Sequence, residues 1–273
     1  MKQLFMLLLL MSALTLSAQN RKLEKLWETD TIVAIPESVL PDFKNQALYV
    51  SLIAGGPWDA DGVGGIGKLS FDGKKYDGDW IKGLNAPKGL GKYGDKLYAA
   101  DISEVVVVNM KKGEIESRIA IEGASGLNDI TVDDKGVVYV SDSKTSKVWQ
   151  IKNGKPTLYL ENVNGANGLL AVKDGLIYAQ GKSLMKANGK KELTKIADVT
   201  EGIDGIEPVG NGDYIVTSWV GLVYYVKSDG QFQTLLDSRP EKKNAADIGY
   251  DPAKKMVYVP TFMGKTVAAY QLR

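Results

Sequence analysis

The sequence predicts an all-β fold, a six-bladed β-propeller with four-stranded antiparallel blades around a central channel. Three observations predict it. One phrase recurs six times along the 273 residues. Further strand–turn–strand pairs lie between its copies. No segment of useful length carries a helical apolar period.

The six copies are PESVLPDFKNQALYVSL, NAPKGLGKYGDKLYAAD, NDITVDDKGVVYVSD, NGLLAVKDGLIYAQG, DGIEPVGNGDYIVTSW and DIGYDPAKKMVYVPTF. Each reads as strand, tight turn, strand. In the third, Ile130 and Val132 alternate, Asp134-Lys135-Gly136 turns, and Val137 to Val140 returns. Each copy opens on a polar anchor: Glu37, Asn85, Asn128, Asn167, Asp204 and Asp247. Between copies come two more strands. EVVVVNMKKGEIESRIAIE turns at Lys-Lys-Gly, KVWQIKNGKPTLYLE at Asn153-Gly154, and LVYYVKSDGQFQTLL at Asp229-Gly230. Four strands per repeat of about 40 residues is the arithmetic of a propeller blade. Leu23–Asp30 is expected to close the ring by completing the blade begun by Thr266–Leu272, which removes exposed sheet edges. Tyrosines 49, 98, 139, 178, 214 and 258 recur with the phrase and read as packing between blades.

Composition bounds the chemistry. The 34 basic and 33 acidic residues nearly cancel, which gives no basic face for nucleic acid and no case for an anionic membrane surface. There is no cysteine and no histidine. Disulfides, thiolate nucleophiles, imidazole-built zinc sites and Ser-His-Asp catalysis are excluded. Lys2 followed by the apolar run Leu4 to Leu16 and by Ser17-Ala18-Gln19 reads as an export signal cleaved after Ala18. The expectation is a signal peptide over residues 1–18, one propeller domain over 19–273, a periplasmic or secreted location, no membrane span and a monomer.

Several motifs carry no weight. Gly62-Val63-Gly64-Gly65-Ile66-Gly67 fits G-x-G-x-x-G, but a β-pattern follows it where a dinucleotide site needs a helix. Trp58-Asp59-Ala60-Asp61-Gly62 lacks the spacing of an EF-hand, with Ser70 where the terminal Glu belongs, and reads as a loop over the pore mouth. Gly181-Lys182-Ser183 and Gly264-Lys265-Thr266 lack the first glycine of a phosphate loop.

In a propeller, residues at one phase of the repeat converge around the axis. The six anchors are all oxygen donors. Glu is not a favoured turn residue, so Glu37 argues most against plain turn chemistry. Converging carboxylates need a neutralising cation. Glu37 and Asp204 balance one divalent ion, and Asn128 and Asn167 add neutral oxygens. Such hard ligands suit Ca2+ first, then magnesium or manganese.

At PESVL, LNDITVDDKGVVYVSD, GANGLL and GIDGIEPVGNGDYIVTSW the chain resembles the SMP-30/gluconolactonase/LRE-like family, in particular its exported Bacteroidetes-type members. The resemblance runs from Trp27 to Leu272. It implies that Glu37, Asn167 and Asp204 are calcium ligands and that Asn128 contacts substrate or completes the metal shell. It also implies that Asp204 is the catalytic base or nucleophile. Asn85 and Asp247 lack a family match and stand as substrate-binding or structural pore residues. The family's arginine two residues before Asn128 is Gly126 here. The function expected is a calcium-dependent hydrolase acting on a small lactone or ester in the channel. The alternative is a non-catalytic periplasmic propeller that presents its rim to a peptide, glycan or envelope protein, since one fold hosts both roles.

Overall fold

The computed structural model describes residues 21–30 and 32–273. The expected signal peptide lies outside the described residues. The described chain forms six four-stranded antiparallel sheets, each paired in sequence order from the innermost strand outward. The innermost strands are Pro36–Asp42, Pro87–Tyr93, Leu127–Val132, Ala166–Val172, Ile206–Gly210 and Gly249–Asp251. The sixth sheet takes its outermost strand from the N-terminal side, where Leu23–Glu28 pairs with Val267–Leu272 as predicted. Glu28 fastens this closure. Its carboxylate accepts from the Lys243 ammonium and from the Thr266 hydroxyl at 2.7 Å, and it also pairs with Lys25.

Burial explains the strand types. Middle strands are covered on both faces and read as apolar runs, as in the buried Val105–Val108. Outer strands such as Glu114–Ala120 meet solvent and carry charge. The Asn153-Gly154 turn holds both residues at positive φ, 51° and 73°, as a two-residue type I′ hairpin requires. Six apolar clusters fill the seams between neighbouring blades. One joins Tyr49, Ile66 and Leu84 to Leu97 and Val106, and another joins Ile177 and Leu184 to Val216 and Tyr224.

The six tyrosines do pack into or against these seams, but only four share a phase. Tyr49, Tyr98, Tyr139 and Tyr258 pair with corresponding inner-strand residues. Tyr178 and Tyr214 are each displaced by one residue, pairing with Leu169 and Pro208. Gly64–Leu69 is a strand, so the glycine-rich run opens no helix.

Candidate active site at the channel mouth

Pro36 and Pro87 each open an inner strand, a position where a missing N–H costs the sheet nothing. In the first four blades the residue after the opening position sits at the mouth of the channel; in the fifth and sixth the equivalent residue comes just before the strand. The register identifies it in every blade. The N–H groups of Ser38, Asp129 and Gly205 donate to the hydroxyls of Ser51, Ser141 and Thr217. Their preceding residues, Glu37, Asn128 and Asp204, are therefore equivalent. Lys88 and Asn167 hold the same place after Pro87 and Ala166, each two residues before a matched ladder pair. The upper ring is thus Glu37, Lys88, Asn128, Asn167 and Asp204, with Ala246 in the sixth blade.

Two predicted ring members fall out of phase. Asn85 precedes its strand, and its backbone N–H donates to the Asp101 carboxylate at 2.9 Å, so it shapes the turn. Asp247 sits one residue too far along, bridged in parallel to Ser38, and its carboxylate accepts from the Ser38 hydroxyl at 2.5 Å. Neither lines the pocket at the mouth. The sequence reading missed Lys88 because it sought oxygen donors. The shared Pro of Pro36-Glu37-Ser38 and Pro87-Lys88-Gly89 was the signal that could have found it.

The remaining anchors come together. Glu37, Asn128, Asn167 and Asp204 join Lys88 in one cavity of about 370 Å3. Its walls are Pro57, Trp58, Trp219, Phe262 and Met263. Pro57 and Trp58 lie on the loop between Ala47–Leu52 and Gly64–Leu69. Trp219 and Phe262, in edge contact at 5.5 Å, come from the corresponding loops of the fifth and sixth blades. The corresponding loop of the third blade carries Lys144. Its stem fills the space above Gly126, so a Cβ at 126 would lie 2.5 Å from the Lys144 Cγ.

The polar groups are oriented but not all satisfied. The Asn167 side-chain amide donates to Asp204 Oδ1 at 2.9 Å, and that of Asn128 donates to the Ser143 hydroxyl at 3.0 Å. Among the described residues, Glu37 Oε2 and Asn167 Oδ1 are buried with no hydrogen-bond partner. Burial raises the Glu37 carboxyl well above its ordinary range; Asp204 and Asp247 add to this and Lys88 opposes it. Burial pushes Asp204 up to about 7 against the Asn167 hydrogen bond and the Lys88 ammonium. A buried oxygen without a partner costs free energy. Two carboxylates and two amide oxygens therefore fit a hard divalent cation. Among the described residues no cluster of three acidic side chains has metal-binding geometry, so the amides would have to share the coordination.

Below the mouth, the next residues along the strands form a second ring, with Asp129 and Asp247 facing a cavity of about 200 Å3 that Glu207 and Lys92 also line. Burial raises Asp129 and Glu207 well above their ordinary range. Asp129 Oδ2 accepts from the Leu169 N–H at 2.5 Å and Oδ1 from its neighbour Ile130 at 2.6 Å.

No family model matches this chain, and no curated protein does. Solved structures do. A gluconolactonase from Xanthomonas campestris is 15% identical with a TM-score of 0.73, over 93% of this chain and 90% of its own. A second protein, described as a putative gluconolactonase, is 14% identical at 0.70, over 93% of both chains. Virginiamycin B lyase from Staphylococcus aureus, solved with quinupristin as an inactive histidine-to-alanine variant, is 14% identical at 0.64 over 93% and 100%. At these identities the likeness is one of fold alone: the chain is a six-bladed β-propeller, similar in fold to these solved structures.

Proposed function

We propose that the protein is a divalent-cation-dependent hydrolase, most simply a calcium-dependent lactonase or esterase, working at the channel mouth. The observation that carries this reading is the pair of buried, unpartnered oxygens, Glu37 Oε2 and Asn167 Oδ1, beside the Asp204 carboxylate. Glu37, Asn128, Asn167 and Asp204 would hold the ion. When bound, such an ion polarises the carbonyl of a lactone or ester.

The chain's own groups supply the rest. Asn167 fixes the Asp204 carboxylate by donating to Oδ1, which leaves Oδ2 free of that bond to act as base. Asp204 takes a proton from water as the water oxygen bonds to the carbonyl carbon. The acyl–oxygen bond then breaks, and the leaving oxygen recovers a proton, giving a carboxylic acid and an alcohol. Trp219, Phe262 and Met263 hold the apolar side of the substrate and keep bulk water out. The gluconolactonase neighbours support this reaction class. The lyase reading has less support, because replacing a histidine inactivates the lyase neighbour and this chain has none.

Calcium titration by calorimetry should show one site that Glu37→Gln and Asp204→Asn each weaken. A lactone and aryl-ester panel with and without chelator should show cation-dependent turnover that Asp204→Asn abolishes. Turnover unchanged in Asp204→Asn would overturn the catalytic assignment. A cation site without turnover on any ester would favour the binding role. The export expected from residues 1–18 is proposed alongside; fractionation of expressing cells tests it.

A further inference from the structure

Lys88 is the one cation in the upper ring, and nothing in the hydrolase reading uses it. Its residue is only 3% exposed, yet among the described residues it forms no ion pair. One of its three donors goes to the Pro57 carbonyl at 2.7 Å. The ammonium lies 4.2 Å from the centre of the Trp58 ring. Lys144, also without an ion pair among the described residues, stands 4.5 Å from the same ring centre. Two ammoniums thus face one indole. Burial and Lys144 both push the Lys88 ammonium below its ordinary range; Glu37, Asp204 and Asp101 pull it back.

The charge count gives this arrangement a purpose. Glu37 and Asp204 together offset one divalent ion, so once the cation proposed above is in place, Lys88 and Lys144 are left with no counter-charge in the pocket. Lys144 reaches Trp58 because residue 126 has no side chain, and its stem takes that space. Opposite the two lysines stands the apolar wall of Trp219, Phe262 and Met263.

We propose that the substrate carries an anionic group, a carboxylate on the lactone or ester, which Lys88 binds inside the pocket and Lys144 draws in from the rim across Trp58. This rests on the cation proposed above for the charge count and on the hydrolase reading for the reaction, but not on turnover for the binding. A competing role for Lys88, pinning the Trp58 loop through Pro57, would affect charged and neutral ligands alike.

The test pairs a charged ligand with a neutral one of the same shape, on the full chain with calcium present. Cyclopentanecarboxylate and cyclopentanecarboxamide, measured by calorimetry, report binding without turnover. γ-Butyrolactone γ-carboxylate and its carboxamide report turnover. The wild type should prefer the carboxylate by about tenfold or more in Kd and in KM. Lys88→Met should collapse that ratio, Lys88→Arg should retain most of it, and Lys144→Met should lower it. Added salt should erode the Lys144 share first, because that ammonium is exposed. A wild type without the preference, or a folded Lys88→Met that keeps it, overturns the proposal. If Lys88→Met does not fold, an unchanged ratio in Lys144→Met overturns it. Carboxylate-selective binding without turnover would sink the hydrolase reading and leave this one standing.

Discussion

Two rings of residues, one position apart at the heads of the six inner strands, have opposite characters. Among the described residues, the upper ring, Glu37, Lys88, Asn128, Asn167 and Asp204, leaves buried oxygens unpartnered and an ammonium without an ion pair. The lower ring, Ser38, Gly89, Asp129, Gly168, Gly205 and Asp247, ties blade to blade. Asp129 accepts from the Leu169 N–H of the next blade, and Asp247 accepts from the Ser38 hydroxyl. Glycine at 168 lets the Asp204 carbonyl approach to where a Cβ would stand 2.0 Å away. Equal burial therefore serves two ends. In the lower ring the polar groups complete each other and set the blade spacing. In the upper ring they are held ready for a ligand, at a cost in stability.

The sharpest way to break the comparison is to disturb the lower ring's geometry. Gly168→Ala should cost about 3 kcal/mol or more, because the clash is with backbone and cannot relax by a rotamer change. Urea unfolding or soluble yield would read it. Asp129→Ala should cost about 1–3 kcal/mol by orphaning the buried Leu169 N–H. Asp204→Asn in the upper ring should have the opposite sign. In cation-free protein it should raise the melting temperature, because it removes a buried charge set against Glu37, while abolishing turnover. If Asp129→Ala and Asp204→Asn shift the melting temperature in the same direction, the division into structural and ligand-facing rings fails.

The smallest effect lies outside the channel, at the ring closure. Burial raises the Glu28 carboxyl, but hydrogen bonds from Lys243, Lys25 and Thr266 overcome it and hold the pKa at about 2, below its ordinary 4.5. Its stabilisation is thus complete above about pH 4.5 and is lost as pH falls toward 2. Glu28 is partly exposed, so screening limits its share to about 1 kcal/mol. Melting scans from pH 7 to 3 should show a shallower loss for Glu28→Gln than for wild type, with the two curves converging at the acid end.

The phrase repeated six times was enough to reveal the blades, because a strand's two-residue period and its Gly and Asn turns are local chemistry. The closing strand was legible for a related reason: an apolar-patterned segment was left over at each end of the repeat. Four of the six anchors were also legible, since Glu37, Asn128, Asn167 and Asp204 lie in one cavity. The other two show where a sequence reading loses hold. In a strand, a slip of one residue turns a side chain to the other face. Asp247 is such a slip, with Ala246 at the true position. Asn85 matches its fellow anchors in residue type, but the register gives the place to Lys88.

Strand content, the sixfold repeat, the absence of histidine and cysteine chemistry, and a stock of oxygen donors near the axis are all written in the local pattern of the chain. Tertiary structure decided which donors meet. It drew Trp58, Trp219 and Phe262 from three distant loops into one wall, and it left Lys88 buried against Glu37 and Asp204. The reason is physical. Local propensity acts over a few residues, but a pocket at the hub of a closed ring depends on the register of all six blades at once.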